Sequence, residues 1–361
     1  MKKNYTLLLA CFLGVFSSEA ATLVVNNSNP SPGQYTTVTA AMTAASNGDI
    51  LLIQPSLTSY GTVTVNKSVT LRGGGWNPAF KQVTYETTFG DINLSASLSN
   101  VKLEGLTFNS LGLLATSGIY GQSNILIEFC KINQVVNFYR NCHDWIIRNN
   151  YFALDGSDNI TTGSNGSSTS NLIIEHNIFR GYLSYLYEVS NVLISHNLFI
   201  TASTNTTRYA FSQTTSGLLV SNNIFSQVLP VSNIGTAAMT NCSFSNNIYT
   251  RASGSVTLPS GNGVTVTQID NPTNKVLEFE TYDNTGFNVN HNYRLKATSL
   301  GKGTGTDTKD VGIYTDLNTF SMTGEPEIPA VRTLLILNSV IPSGGTLNIN
   351  MTGSKSRRDK N

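Results

Sequence analysis

Apolar and polar positions along this chain recur in a nine-residue frame. Seven segments align in it without a gap: 100–108 (NVKLEGLTF), 124–132 (NILIEFCKI), 144–152 (DWIIRNNYF), 171–179 (NLIIEHNIF), 191–199 (NVLISHNLF), 217–225 (GLLVSNNIF) and 241–249 (NCSFSNNIY). Their starts lie 24, 20, 27, 20, 26 and 24 residues apart. Constant cores with variable spacers predict a solenoid whose turns carry loops of different length. The second and fourth columns are apolar, the fourth reading Leu103, Ile127, Ile147, Ile174, Ile194, Val220 and Phe244. Positions two apart on a strand share a face, so both columns are expected to line an interior. The ninth column is aromatic except at Ile132, which predicts rings stacked along the axis.

The seventh column holds Asn150, Asn177, Asn197, Asn223 and Asn247. Asparagine is depleted in strands. Its recurrence between apolar columns points to a bend that tolerates left-handed backbone angles. It also points to stacked amides that bond one turn to the next. Leu106 and Cys130 hold this column in the first two segments, so the ladder is expected to start at the third turn. The β-branched strands and the lack of a helical period argue against leucine-rich or helical repeats. The fold class that follows is all-β, a right-handed single-stranded parallel β-helix.

A solenoid needs its ends covered. Val38, Ala41, Met42 and Ala45 have helical spacing between Thr36 and Asn47, which predicts a short N-terminal capping helix. A strand over 50–53 and a first full turn over 61–75 follow, and 293–314 reads as the closing turn. The third column should face outward yet is apolar at Leu126, Ile146, Ile173, Leu193 and Leu219. Such a stripe calls for a cover. Two strands at 331–338 and 346–351, around a turn at 342–345, form a hairpin-like C-terminal extension suited to that role; self-association through the stripe is the alternative. The polar end, 354–361, reads as disordered. The β-helix domain is therefore placed at 21–322 and the extension at 323–361.

Charge and cysteine content narrow the setting. A net charge of +1 over 361 residues gives no basic footprint for a nucleic-acid partner. Lys2 and Lys3, an apolar run over 7–16 and small residues at 18–20 read as a signal peptide over 1–20, hence a secreted or cell-surface protein. That run is too short to span a bilayer. Cys11 after Leu8-Leu9-Ala10 gives a lipoprotein anchor as the lesser reading. Past the signal, Cys130, Cys142 and Cys242 read as buried apolar residues, with one Cys130–Cys142 bridge left open.

The Gly48-Asp49-Ile50 start, the stretch 67–73, the NNIF-type turns and the closure over 301–314 together resemble the pectate-lyase-like superfamily of right-handed parallel β-helices. They are especially similar to its secreted bacterial members of undefined activity. The resemblance covers roughly residues 22–320. It implies polysaccharide bound along the sheet that precedes each nine-residue core, in the stretches 117–122, 136–141, 182–188, 207–213 and 233–237. Tyr120, Tyr139, Tyr185, Tyr187, Tyr209 and Gln213 are the binding candidates there. Arg140, Arg208 and Glu188 are the catalytic candidates. Aromatic faces stack on sugar rings, and arginine takes a carboxylate in bidentate fashion.

A polyuronate lyase needs a base beside the acidic proton and a cation, Ca²⁺ or arginine, on the carboxylate. Asp155, Asp158, Arg140, Arg148, Arg180, Glu188 and Arg208 are the raw material, scattered in sequence. No cofactor is evident in the sequence, and Ca²⁺ is implied only for a lyase. A glycosidase needs two carboxyls across the scissile bond, and the paired aspartates and His-Gly of polygalacturonase-like enzymes do not appear in this sequence. His176 and His196 share the sixth column on adjacent turns, about 4.8 Å apart. They read either as a metal or proton-transfer pair or as part of a polar stack with Asn149, Asn222 and Asn246. Glu104, Glu128, Arg148 and Glu175 in the fifth column read as a surface ion-pair ladder. Asp307 and Asp310 offer too few ligands for Ca²⁺. The leading expectation is a secreted protein that binds or acts on polysaccharide, as a lyase or glycoside hydrolase if an enzyme. The alternative is a non-catalytic adhesin or rigid surface protein.

Overall fold

The computed structural model describes residues 20–28, 31–77, 85–114, 120–162, 168–202, 208–231, 239–252, 256–270, 279–315, 320–326, 329–336, 346 and 349–355. The signal peptide, the turn at 342–345 and the tail beyond 355 lie outside the described residues.

The chain forms a right-handed parallel β-helix of about 9 turns. Each turn crosses three faces. A long face carries strands of up to six residues, including Ser99–Glu104, Ser123–Glu128, His143–Arg148, Ser170–Glu175 and Ser190–Ser195. A short face follows with Thr107–Phe108, Lys131–Ile132, Tyr151–Phe152, Ile178–Phe179, Leu198–Ile200 and Ile224–Ser226. The strand Ser243–Thr250 runs through both faces and joins them into one 17-stranded sheet. The third face is an eight-stranded sheet from Val63–Val65 to Leu229–Val231. Pairing between successive turns of the described solenoid is parallel and largely in register, as Trp145↔Leu172 and Ile147↔Ile174 show, with irregularities at Asp158/Ile160 and over 245–248.

The nine-residue frame explains this register. Columns two, four and nine are buried from Val101 to Tyr249 and fill the interior. The ninth column stacks: Phe152 on Phe179 at 4.6 Å, then Phe199, Phe225 and Tyr249 at 5.0 Å steps. Offset parallel rings suit this spacing. The seventh column forms a buried amide ladder. Asn150, Asn177, Asn197 and Asn223 each donate Nδ2 to Oδ1 of the next asparagine at 3.0 Å. Each also reaches a backbone carbonyl of the preceding turn, such as Ile127 or Ile147.

The left-handed bend, however, is not in that column. It sits one residue earlier, at Gly105, Phe129, Asn149, His176, His196, Asn222 and Asn246, with φ between 51° and 65°. A second left-handed position opens each long strand, at Asn100, Asn124, Asp144, Asn171, Asn191, Gly217 and Asn241. Asn, Asp, His and Gly are the residues most at ease there. The first-column side chains form their own exposed ladder, with Asn171 donating to Asp144 at 2.8 Å and Asn191 to Asn171 at 3.0 Å.

The ends depart further from expectation. The helix Val38–Ala44 is capped by the Thr37 hydroxyl, which accepts the Ala40 N–H, and it buries Val38, Ala41 and Met42 against the first turn. The segment 279–326 is not a closing turn. Phe279–Thr281 pairs antiparallel with Asn292–Leu295. The chain then runs back along the solenoid until Thr323 accepts the N–H of Trp76 at 3.2 Å. This strap buries Phe279, Tyr293, Leu295, Val311, Ile313 and Phe320 against the outer, eighth-column residues Tyr151, Ile178, Leu198, Ile224 and Ile248. The covered stripe is thus on the short face. The third-column stripe on the long face is half-buried from Leu126 to Leu193 and ends at Leu219, which is 54% exposed. The C-terminal strands Pro329–Ile336 and Ile349–Lys355 form an antiparallel sheet of their own. No helix among the described residues is long and apolar enough to cross a membrane.

Candidate functional site

The third face carries the stretches singled out in the sequence, with shifted limits. Its strands include Leu111–Leu113, Val136–Asn137, Asp158–Thr161, Tyr182–Ser184 and Tyr209–Ser212. Positions 117–119 of the stretch 117–122 and all of 233–237 lie outside the described residues; Leu111–Leu113, Leu229–Val231 and Asp158–Thr161 are further strands of this face. Val136, Ile160, Leu183 and Phe211 point into the core and are paired in succession. Their neighbours Asn137, Thr161, Ser184 and Ser212 are small and polar; Thr161 and Ser184 are buried, with the Ser184 hydroxyl donating to Thr161 Oγ1 at 2.9 Å, and Asn137 and Ser212 are half-buried.

Charges gather where three successive turns enter this face. Asp155 lies in the turn before Asp158–Thr161, Arg180 before Tyr182–Ser184, and Arg208 just before Tyr209–Ser212. Arg180 Nη2 donates to one Asp155 oxygen at 3.1 Å, and Arg208 Nε lies 3.3 Å from the other. The Arg208 guanidinium lies over Gly156, where an added Cβ would fall 2.1 Å from Cζ. Gly156 has φ +66°, so glycine serves both the turn and the close approach. Asp158 pairs with Tyr182 across the turns. Burial pushes the Asp158 carboxyl above its usual range, with Ser184 partly opposing the shift. Burial also pushes the Tyr182 hydroxyl up, with Asp158 adding to the shift and Arg208 opposing it.

The structure thus joins Arg208 to Asp155 and Arg180, residues up to 53 positions apart in sequence, from 155 to 208. Arg140 and Glu188 are exposed; Arg140 lies one solenoid turn before Asp155, and Glu188 lies in the solenoid turn of Arg180 but past its third-face strand Tyr182–Ser184. Tyr120 and Tyr139 stack at 4.6 Å and are half-buried against the core. Tyr185 and Glu188 take left-handed φ in a tight turn, where Tyr187 N–H donates to Tyr185 O at 2.9 Å. Gln213 is also left-handed, and Tyr209 is a half-buried strand residue paired with Leu229. Tyr182 was not singled out in the sequence because inward and outward phases could not be told apart there.

The other candidates have structural roles. His176 and His196 stack at 5.1 Å with planes inclined by only 4°. Parallel rings offset along their normal cannot aim both lone pairs at one ion with bonds of about 2.0–2.1 Å. Among the described residues no group of three His, Cys, Asp or Glu side chains is placed to hold a metal ion. Asp310 takes Lys302 Nζ at 2.7 Å and the Gly303 N–H at 2.9 Å, while Asp307 takes the Lys309 N–H at 3.1 Å. The fifth-column pairs are not a surface ladder: Arg72–Glu104 at 2.5 Å and Arg148–Glu128 at 2.7 Å leave the glutamates 6% and 11% exposed. Cys130, Cys142 and Cys242 are free and buried, so no bridge joins Cys130 to Cys142.

No protein-family profile matches the chain. No curated protein matches it either. Among solved structures, a PL6 family alginate lyase, AlyGC in a mutant form, is similar over 68% of this chain, with 15% identity and a TM-score of 0.33. The match spans 40% of the lyase chain.

Proposed function

We propose that this protein binds an acidic polysaccharide along its third face. The observation that carries the reading is the pair of partly exposed guanidinium groups, Arg180 and Arg208, converging on Asp155 where three turns enter this face. Two arginines holding one carboxylate form the geometry that takes a uronate carboxylate. Tyr139 follows the strand Val136–Asn137 of this face and Tyr120 stacks on it at 4.6 Å. Aromatic rings suit sugar faces. The expected export signal fits an extracellular glycan.

Elimination would need a base on the proton beside the carboxylate. Tyr182 is the neighbouring hydroxyl, and its burial holds its proton in place. This favours binding over turnover. Ca²⁺ takes six to eight oxygen ligands. Both Asp155 oxygens face guanidinium groups, so this donor set does not suit Ca²⁺, and arginine supplies the positive charge.

The test is a glycan array with alginate, polygalacturonate, hyaluronan and neutral glucans, run beside an assay for unsaturated-uronate absorbance. Binding to acidic polymers that weakens with salt, without new absorbance, is expected. Turnover would make the protein a lyase. Binding to no acidic polymer would overturn the reading and leave the adhesin or spacer.

A further inference from the structure

Besides its apolar packing on the eighth column, the strap makes its polar contacts over 304–315 along the sixth column. Asn246 Nδ2 donates to the Thr304 carbonyl at 2.7 Å. Asn222 Nδ2 donates to Thr306 Oγ1 at 2.9 Å, and its Oδ1 accepts the Thr306 N–H at 2.9 Å. The Asn222 carbonyl accepts the Gly312 N–H at 2.8 Å. His176 Nε2 lies 3.2 Å from Thr315 Oγ1. His196 Nε2 lies 3.5 Å from Asp307 Oδ2, its ion-pair partner on the strap, and the ring is buried. A groove of about 300 Å³ opens beside it, between the long face and the strap.

We propose that the strap over 304–315 is an acid-released clasp whose trigger is the stacked pair His176 and His196. The asparagines of the column hold the strap at any physiological pH, because amides do not titrate. The histidines occupy equivalent left-handed positions but can take a proton. Two imidazoles stacked at 5.1 Å, 3% and 6% exposed, cannot both be charged without repulsion. The surrounding groups do not cancel that charge. Glu175 precedes His176 on the long strand and has Arg148 beside it; its carboxyl is pushed up by burial, with Arg148 opposing. Asp307 and Lys309 face the pair from the strap with opposite charges, alongside the neutral Ser195, Ser221, Thr306 and Thr315.

The direction follows from linkage. Burial holds His196 below its ordinary 6.5, with Asp307 only partly offsetting it. The open strap therefore takes up a proton that the docked one refuses. Docking is at full strength above about pH 6.5 and weakens as pH falls toward the depressed value. Release uncovers the eighth-column residues Ile178, Leu198 and Ile224 that the strap otherwise buries. This clasp does not depend on the polysaccharide reading.

Amide hydrogen exchange on the full chain tests it, at about pH 7.5 and about pH 5 with correction for intrinsic rates. Protection at Thr306 and Gly312 is expected to fall by about tenfold in acid, while the Ser190–Ser195 strand keeps its protection. His196→Asn supplies the residue found at equivalent positions 149, 222 and 246, and should fold with its strap pH-insensitive. Should that variant not fold, an NMR titration of the 4 histidines in the native chain decides the matter: a ring must titrate below its ordinary value in step with the strap amides. Equal strap protection at both pH values overturns the clasp. So does unchanged pH dependence in folded His196→Asn, or strap opening that tracks no histidine.

Discussion

The side-chain amide of Asn177 donates to Asn197 Oδ1 at 3.0 Å, and the same oxygen accepts the Asn177 backbone N–H at 2.9 Å. Asn197 Nδ2 in turn serves the carbonyls of Ile174 and Ser195 and the amide oxygen of Asn223. One side chain thus satisfies buried groups on three turns. Asn197→Ala strands several of them at about 1–3 kcal/mol each, so a loss of roughly 3 kcal/mol or more is expected. Asn191→Gly removes an exposed ladder amide while keeping a left-handed φ, and is expected to stay within about 0.5 kcal/mol. Urea unfolding of both variants measures the contrast. Similar midpoints would mean that the buried ladder adds nothing beyond the exposed one.

Gly156→Ala separates the proposed binding cluster from the fold. Its Cβ would fall 2.1–2.4 Å from the Arg208 guanidinium, which sits at the end of a flexible side chain and can swing away. The left-handed φ costs alanine about 1 kcal/mol. A chain that stays folded but binds acidic polysaccharide about tenfold more weakly is expected, the equivalent of about 1.4 kcal/mol. Isothermal titration against an acidic oligosaccharide reads the affinity, and thermal melting reads the fold. Full affinity in the alanine variant would remove Arg208 from the site.

Asp158 gives a pH signature with a definite sign. Its folded carboxyl titrates above the ordinary 3.8 because burial disfavours the charge. The native state therefore holds a proton that the unfolded chain has released. That stabilisation is complete below 3.8 and is lost as pH rises through the higher folded value. Asp158→Asn keeps a neutral group in place. The variant should match the native chain in strong acid and exceed it at neutral pH, in a series of melting temperatures. A gap that does not change with pH would contradict the burial account.

What the sequence discloses follows the repeat. Columns two, four, seven and nine are each defined by one chemistry, so Ile174, Asn197 and Phe199 can be placed on the interior from their neighbours three and four turns away. The strap is not legible in this way, because Tyr293, Val311 and Ile313 occur once each and pack across the turns rather than within one. The sequence pattern places the bend at Asn177 while the structure has it at His176, since both columns carry residues that tolerate positive φ. The charged cluster was illegible for a related reason. Asp155, Arg180 and Arg208 sit in spacers of unequal length, and only the parallel register of the third face shows that they share one corner.

Leu219 is the last member of the third-column stripe and the most exposed, at 54%. Leu126, Ile146, Ile173 and Leu193 precede it on successive turns, paired in register and half-buried. A second copy seated on this stripe would bury Leu219 first. Leu219→Lys keeps the long stem of the side chain and adds a solvated charge. Its neighbours Leu218 and Val220 carry the core contacts, so stability should change by no more than about 0.5 kcal/mol. If the chain self-associates through this face, the lysine variant shifts sedimentation toward monomer at concentrations where the native chain is larger. If both sediment alike, the stripe is not a self-association surface.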